Sequence, residues 1–118
     1  MKTEDLAREV ISKLTDEGRT LSTAESCTGG LLGKLLTDIP GASNAYKGGV
    51  ISYVNEVKHR ILGVEQETLD VCTAVSRETA HEMAKGTRAL LKADVGVSTT
   101  GLAGPDGDGT GRPIGLVY

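Results

Sequence analysis

Three stretches of this chain carry residue types that could do chemistry. The first is Thr23-Ala24-Glu25-Ser26-Cys27-Thr28-Gly29-Gly30, where a short β-prone run passes into a helical one. Backbone N–H groups at a helix start are unpaired and attract negative charge. Gly29 and Gly30 let a ligand or a neighbouring backbone come close. A serine at such a turn could be a nucleophile beside a ready oxyanion hole. The same residues also make an ordinary N-cap, and both readings fit the pattern. Cys27 is a rival nucleophile, because a helix N-terminus favours a thiolate. Its candidate bases are His59 and His81, and no spacing brings either near it. The serine is the preferred reading.

The second stretch, Tyr53-Val54-Asn55-Glu56-Val57-Lys58, follows an expected strand and opens an expected helix. A serine nucleophile needs a base. Without a placed histidine, a desolvated lysine can serve, because burial disfavours the ammonium form. Tyr53 could assist by hydrogen bonding. Against this stands the ordinary surface lysine. The third stretch is the loop from Thr99-Thr100 to Gly111, with five glycines at positions 101, 104, 107, 109 and 111. Successive N–H groups and threonine hydroxyls could cradle a phosphate. It lacks the Gly-Lys-Ser/Thr of a P-loop, and Asp106-Gly107-Asp108-Gly109 lacks the closing ligands of a calcium loop. A flexible connection fits it equally.

The elements that must position these stretches follow from periodicity. Residues 3–17 predict a helix with Leu6, Ala7, Val10, Ile11 and Leu14 on one face, capped by Thr3 and stopped by Gly18. Residues 20–24 predict a strand and 28–38 a helix with Leu31, Leu32, Leu35 and Leu36 inward. Residues 48–54 predict a strand, followed by a short helix capped by Asn55 and ended at Gly63. Ser76 caps the clearest helix, with Ala80, Met83, Ala84, Thr87, Leu90 and Leu91 as its buried face. Residues 94–100 and 114–118 predict two more strands. This alternation predicts a single layered α/β domain over 1–118, a mixed sheet covered by helices. The chain stops inside its last expected strand, so the domain is expected to be truncated at its C-terminal end. An exposed strand edge would favour a homo-oligomer.

Composition narrows the partners. The chain has 118 residues, 13 basic against 16 acidic, and a net charge of −3. The half up to His59 carries 7 basic and 8 acidic residues, the remainder 6 and 8, so no basic stripe exists. There are three Tyr and no Phe or Trp, hence no stacking platform. Nucleic-acid binding is not expected. No apolar run approaches the roughly 20 residues of a membrane span, and the first residues form no signal segment. A cytoplasmic location is expected. Cys27 and Cys72 are expected to be reduced thiols. With His59 and His81 they show no metal-ligand spacing, so no metal site is expected.

Taken together, these segments resemble the CinA C-terminal domain, or PncC-type nicotinamide mononucleotide amidase, family. The resemblance rests on Glu25-Ser26-Cys27-Thr28-Gly29-Gly30, on Gly48 to Lys58, on Ala74-Val75-Ser76 and on Thr100 to Gly107, in family order. Pro40-Gly41-Ala42-Ser43 and Arg112-Pro113-Ile114-Gly115 also fit. Two positions depart from the pattern. Cys72-Thr73 stand where the family often has His-Gly, and Arg112 where it more often has lysine. The family domain also continues past this point, and full-length CinA proteins carry a larger N-terminal domain.

The resemblance implies a deamidating hydrolase that turns nicotinamide mononucleotide and water into nicotinic acid mononucleotide and ammonia, a salvage step. It implies Ser26 as nucleophile, Lys58 as base and Tyr53 in support, with a small nucleotide as partner and no cofactor. The physical reading adds Thr28, Gly29 and Gly30 for the oxyanion, and Thr100, Gly101, Ala103 and Gly104 for the phosphate. The alternative is a module that binds a pyridine nucleotide without turning it over, in a regulatory or competence-related role.

Overall fold

The computed structural model describes residues 1–118. Strand β1 (Leu21–Glu25) is central and fully buried, because both of its faces are covered. β2 (Tyr46–Ile51) and β3 (Val95–Thr99) pair with it on either side, both parallel to it, in the order β2-β1-β3. On one face lie helices α1 (Thr3–Glu17) and α2 (Leu31–Thr37). There Ala7, Ile11, Leu36, Ile39, Ala42 and Ala45 pack on Leu21. On the other face lie α3 (Asn55–Arg60), α4 (Gln66–Cys72) and α5 (Arg77–Leu91). There Leu62, Val64, Leu69 and Met83 pack on Ala24. Successive β1 side chains thus feed two separate cores, as strand alternation requires. The layered α/β arrangement is as expected. No helix is long and apolar enough to cross a membrane.

Several local expectations shift for identifiable reasons. α2 starts at Leu31 rather than at residue 28, because Gly29 (φ 63°) and Gly30 (φ 110°) take left-handed backbone that a helix cannot continue through. Leu31 consequently lies exposed, and of the four leucines only Leu36 is fully buried. Thr3 and Asn55 are not caps: the N-caps are Lys2 and Val54, neither with a side-chain cap bond. Val54 O already accepts from the Val57 and Lys58 N–H groups, so Asn55 becomes the first helical residue. Ser76 does cap α5, accepting from the Thr79 N–H at 3.1 Å. The buried face of α5 is Thr79, Met83 and Thr87, while Leu90 is half exposed. α4 is an element that periodicity did not single out. The last expected strand reduces to one antiparallel bridge, Gly101 to Val117. Pro113 and the left-handed Gly115 leave no room for a longer ladder. The sheet is therefore wholly parallel rather than mixed, and the antiparallel bridge lies outside it.

The strand register decides where the loops gather. Glu25 pairs with Ile51 on one side and with Thr99 on the other. All three strands therefore end level, at the same edge. The connection from β1 goes to one side while β3 lies on the other, so a crevice opens at the carboxyl ends of the strands.

Candidate active site

Each chemistry-bearing stretch runs off the end of a strand, so the level register gathers all three. Ser26 follows β1 directly; its N–H donates to Thr99 O at 3.1 Å, which ties it to β3. Ser52 follows β2, and its N–H donates to Glu25 O at 2.7 Å. Ser26 is 7% exposed and Lys58 only 1% exposed. The Lys58 ammonium nitrogen lies 2.9 Å from Ser26 Oγ, 2.7 Å from Ser52 O and 3.1 Å from Tyr53 O. The lysine that spacing alone would have left in solvent is therefore the largest fully buried side chain.

That geometry serves both protonation states. As an ammonium, Lys58 Nζ donates to all three oxygens. As a free amine it donates to the two carbonyls and accepts from the Ser26 hydroxyl. Burial lowers the Lys58 pKa from its ordinary 10.5, and the nearby Cys27 thiol opposes the shift. The amine is thus held where it can take a proton from the serine. Tyr53 enters differently from expectation. It lines the hollow and is 70% exposed, and it is the Tyr53 backbone carbonyl that accepts a hydrogen bond from Lys58.

A hollow of about 300 Å³ opens beside Ser26. This is the lower end of the range of small-molecule sites, roughly 300–1,000 Å³. Ser26, Cys27, Tyr53 and Lys58 form its floor and one side. Ala74 and Val75 form one wall, and Thr100 to Gly104 with Asp106 form another, the two meeting where the Thr100 hydroxyl donates to Ala74 O. A wider hollow of about 510 Å³ between Arg19, Arg88 and Asp94 contains no serine or cysteine at all. No histidine lines the Ser26 hollow. His59 Nδ1 is instead 2.7 Å from Val64 O, and His81 lies in the wider hollow. Cys27 therefore has no imidazole partner. No three His, Cys, Asp or Glu side chains are placed to hold a metal ion.

The turn after β1 is organised by the glutamate of the first motif, to which the sequence assigns no role. Glu25 is 3% exposed, and its carboxylate reaches forward to the start of α2. Oε1 accepts from Thr28 Oγ1 at 2.7 Å and from the Leu32 N–H at 2.7 Å; Oε2 accepts from the Gly33 N–H at 2.9 Å. The Thr28 hydroxyl also meets Thr99 Oγ1 at 2.8 Å, so it is fully engaged. The Gly29 N–H donates to Ser26 O at 3.0 Å. The N–H groups of Cys27, Thr28 and Gly30 have no protein acceptor.

The glycine-rich loop is similarly divided. The Thr100 N–H donates to Tyr118 O, the Leu102 N–H to Leu116 O, and the Thr100 hydroxyl to Ala74 O at 2.7 Å. Gly101, Ala103 and Gly104 keep their N–H groups free of protein acceptors. No periodic signal marks Glu25, Ala74, Val75 or Leu102, because their roles depend on contacts across the fold.

Residues 3–118 match the sequence profile of the CinA C-terminal domain. This chain belongs to that family. A relative from Caldanaerobacter subterraneus subsp. tengcongensis, provisionally named a competence-damage inducible protein, is 55% identical over 98% of the chain. The match takes in 28% of that relative's length, so the chain spans little more than a quarter of the curated protein. Among solved structures, competence damage-inducible protein A of Klebsiella pneumoniae is 40% identical with a TM-score of 0.96, covering 99% of this chain and 73% of that one. A competence/damage inducible protein of Agrobacterium tumefaciens is 44% identical with a TM-score of 0.90, covering 98% and 70%. CinA-family membership thus accounts for the fold and for the order of the motifs.

Proposed function

We propose that this chain is an amidase of the CinA family that hydrolyses the carboxamide of nicotinamide mononucleotide through a Ser26–Lys58 dyad. The observation that carries the reading is the buried Lys58 amine 2.9 Å from Ser26 Oγ. Lys58 takes the Ser26 proton as Oγ attacks the carboxamide carbon. The N–H groups of Cys27, Thr28 and Gly30, on the turn that carries Ser26, supply donors for the oxyanion. The intermediate collapses, Lys58 returns the proton to the departing ammonia, and a Ser26 ester remains. Water then attacks the ester, giving its proton to Lys58, and the carboxylate leaves as Ser26 is reprotonated. The free N–H groups of Gly101, Ala103 and Gly104 line the loop that would hold the phosphate end.

The test is ammonia release from nicotinamide mononucleotide by the purified chain, with Ser26→Ala and Lys58→Met as controls. Release by the parent and a loss of at least a hundredfold in each variant are expected. Undiminished turnover in Ser26→Ala overturns the dyad. A rise in melting temperature with ligand but no ammonia would favour a binding module without catalysis.

A further inference from the structure

The two walls of the Ser26 hollow come from distant parts of the chain, and two side chains tie them together: Thr100, whose hydroxyl donates to Ala74 O at 2.7 Å, and Arg112. The first wall, Ala74 and Val75, follows Thr73, whose backbone stands at φ 68° and ψ 172°. That region is open to glycine and costly for a β-branched residue. Thr73 is held there by its surroundings. Its carbonyl accepts from Ser76 Oγ at 3.0 Å and from Thr79 Oγ1 at 2.7 Å. From the far end of the glycine-rich loop, Arg112 Nη1 donates to Thr73 Oγ1 at 2.8 Å, to Val75 O, and to Cys72 O at 3.4 Å. Arg112 is half-buried, while its neighbours from residue 105 to residue 111 are all exposed. It is the point at which the exposed far end of that loop bonds to the rest of the fold through a side chain.

We propose that Arg112 is a positioning residue that latches the glycine-rich loop onto the strained Thr73 turn and so sets the width of the hollow. The kinetic side of this inference rests on the amidase reading; the structural side does not. The Lys58 bonds to Ser26, Ser52 and Tyr53 involve neither wall. Loosening the walls therefore weakens the grip on the part of the ligand remote from the reacting carbonyl. The dyad itself keeps its geometry and its titration. All three bonds come from one nitrogen, so a lysine ammonium, with three donors on a single nitrogen but a different reach, restores the latch in part.

The experiment measures ammonia release and amide hydrogen exchange in the parent chain, Arg112→Ala, Arg112→Lys, Thr73→Gly and the Thr73→Gly/Arg112→Ala double variant. In Arg112→Ala, KM for nicotinamide mononucleotide is expected to rise about tenfold, with kcat within about twofold and its pH profile unmoved. Exchange at residues 74–76 and 101–104 should accelerate at least about tenfold, while residues 26–30 and 52–58 keep their protection. Arg112→Lys should recover much of both effects. In the Thr73→Gly background the Arg112→Ala effect should shrink, because a relaxed turn no longer needs the latch. The latch is overturned if exchange at both walls is unchanged. It is also overturned if kcat and the pH profile move together with KM. An undiminished effect in the Thr73→Gly background would assign Arg112 to direct ligand contact instead. If Arg112→Ala does not fold, Arg112→Lys and Thr73→Gly carry the same comparison. If the parent chain releases no ammonia, the amidase reading fails alone, and the exchange pattern still decides the latch.

Discussion

Replacing Glu25 by glutamine tests whether the turn that carries Ser26 is held by this buried carboxylate. The glutamine carbonyl can keep the two bonds of Oε1, from Thr28 Oγ1 and the Leu32 N–H. Its amide nitrogen then faces the Gly33 N–H, which sits 2.9 Å from Oε2 in the parent chain. A donor meets a donor where an ionised acceptor stood. Loss of a hydrogen bond to a charged group costs about 1.5–3 kcal/mol. Loss of a negative charge at a helix N-terminus adds about 0.3–1 kcal/mol. Together these predict a destabilisation of about 2–4 kcal/mol. A chain of 118 residues unfolds with an entropy of about 0.25 kcal/mol/K, so each kcal/mol shifts Tm by about 4 °C. Scanning calorimetry should therefore find the Glu25→Gln variant melting about 8–16 °C below the parent. Flipping the amide does not rescue it, because two donors would then lose their acceptor instead of one. A Tm within about 3 °C of the parent would refute the reasoning, and would mean that the turn is set by the glycines alone.

Three further outcomes follow from two residues, Lys58 and Gly86. Because burial lowers the Lys58 pKa, kcat/KM should rise as pH climbs through that lowered value, below the ordinary 10.5. Between the lowered value and 10.5 the unfolded chain binds a proton that the native chain has shed, so Lys58 makes stability increase with pH there; Lys58→Met should flatten that rise in urea titrations, and an unchanged slope would contradict the burial argument. Gly86, inside α5, meets the Leu62 backbone so closely that an added Cβ would collide with Leu62 O and lie 2.8 Å from its carbonyl carbon. Gly86→Ala should thus cost about 1–3 kcal/mol by urea unfolding despite its better helix propensity, and a stabilised variant would show that α5 can shift freely.

Much of this protein is readable along the chain, because periodicity and punctuation are local. The helix over Thr3–Glu17 with its left-handed stop at Gly18, the Ser76 cap and the alternation of strands and helices all follow from neighbouring residues. The three chemistry-bearing stretches also announce themselves, since glycine clusters and hydroxyl-rich turns are sequence signals in their own right. What the chain order cannot carry is which turn faces which. Lys58 reads as an exposed helix lysine until the register of β1 with β2 sets its amine against Ser26 and two carbonyls, where desolvation makes it a base. Glu25 reads as one more polar residue near a helix start until its carboxylate is seen to span seven and eight residues forward. The cap expectations at Thr3 and Asn55 failed because a first hydrogen-bonded turn is chosen by whichever carbonyl the fold leaves free, at Val54 in the second case. Local patterns thus determined the elements and the candidate groups. Only the tertiary structure decided burial, and burial is what turns an amine, a carboxylate and a hydroxyl into a site.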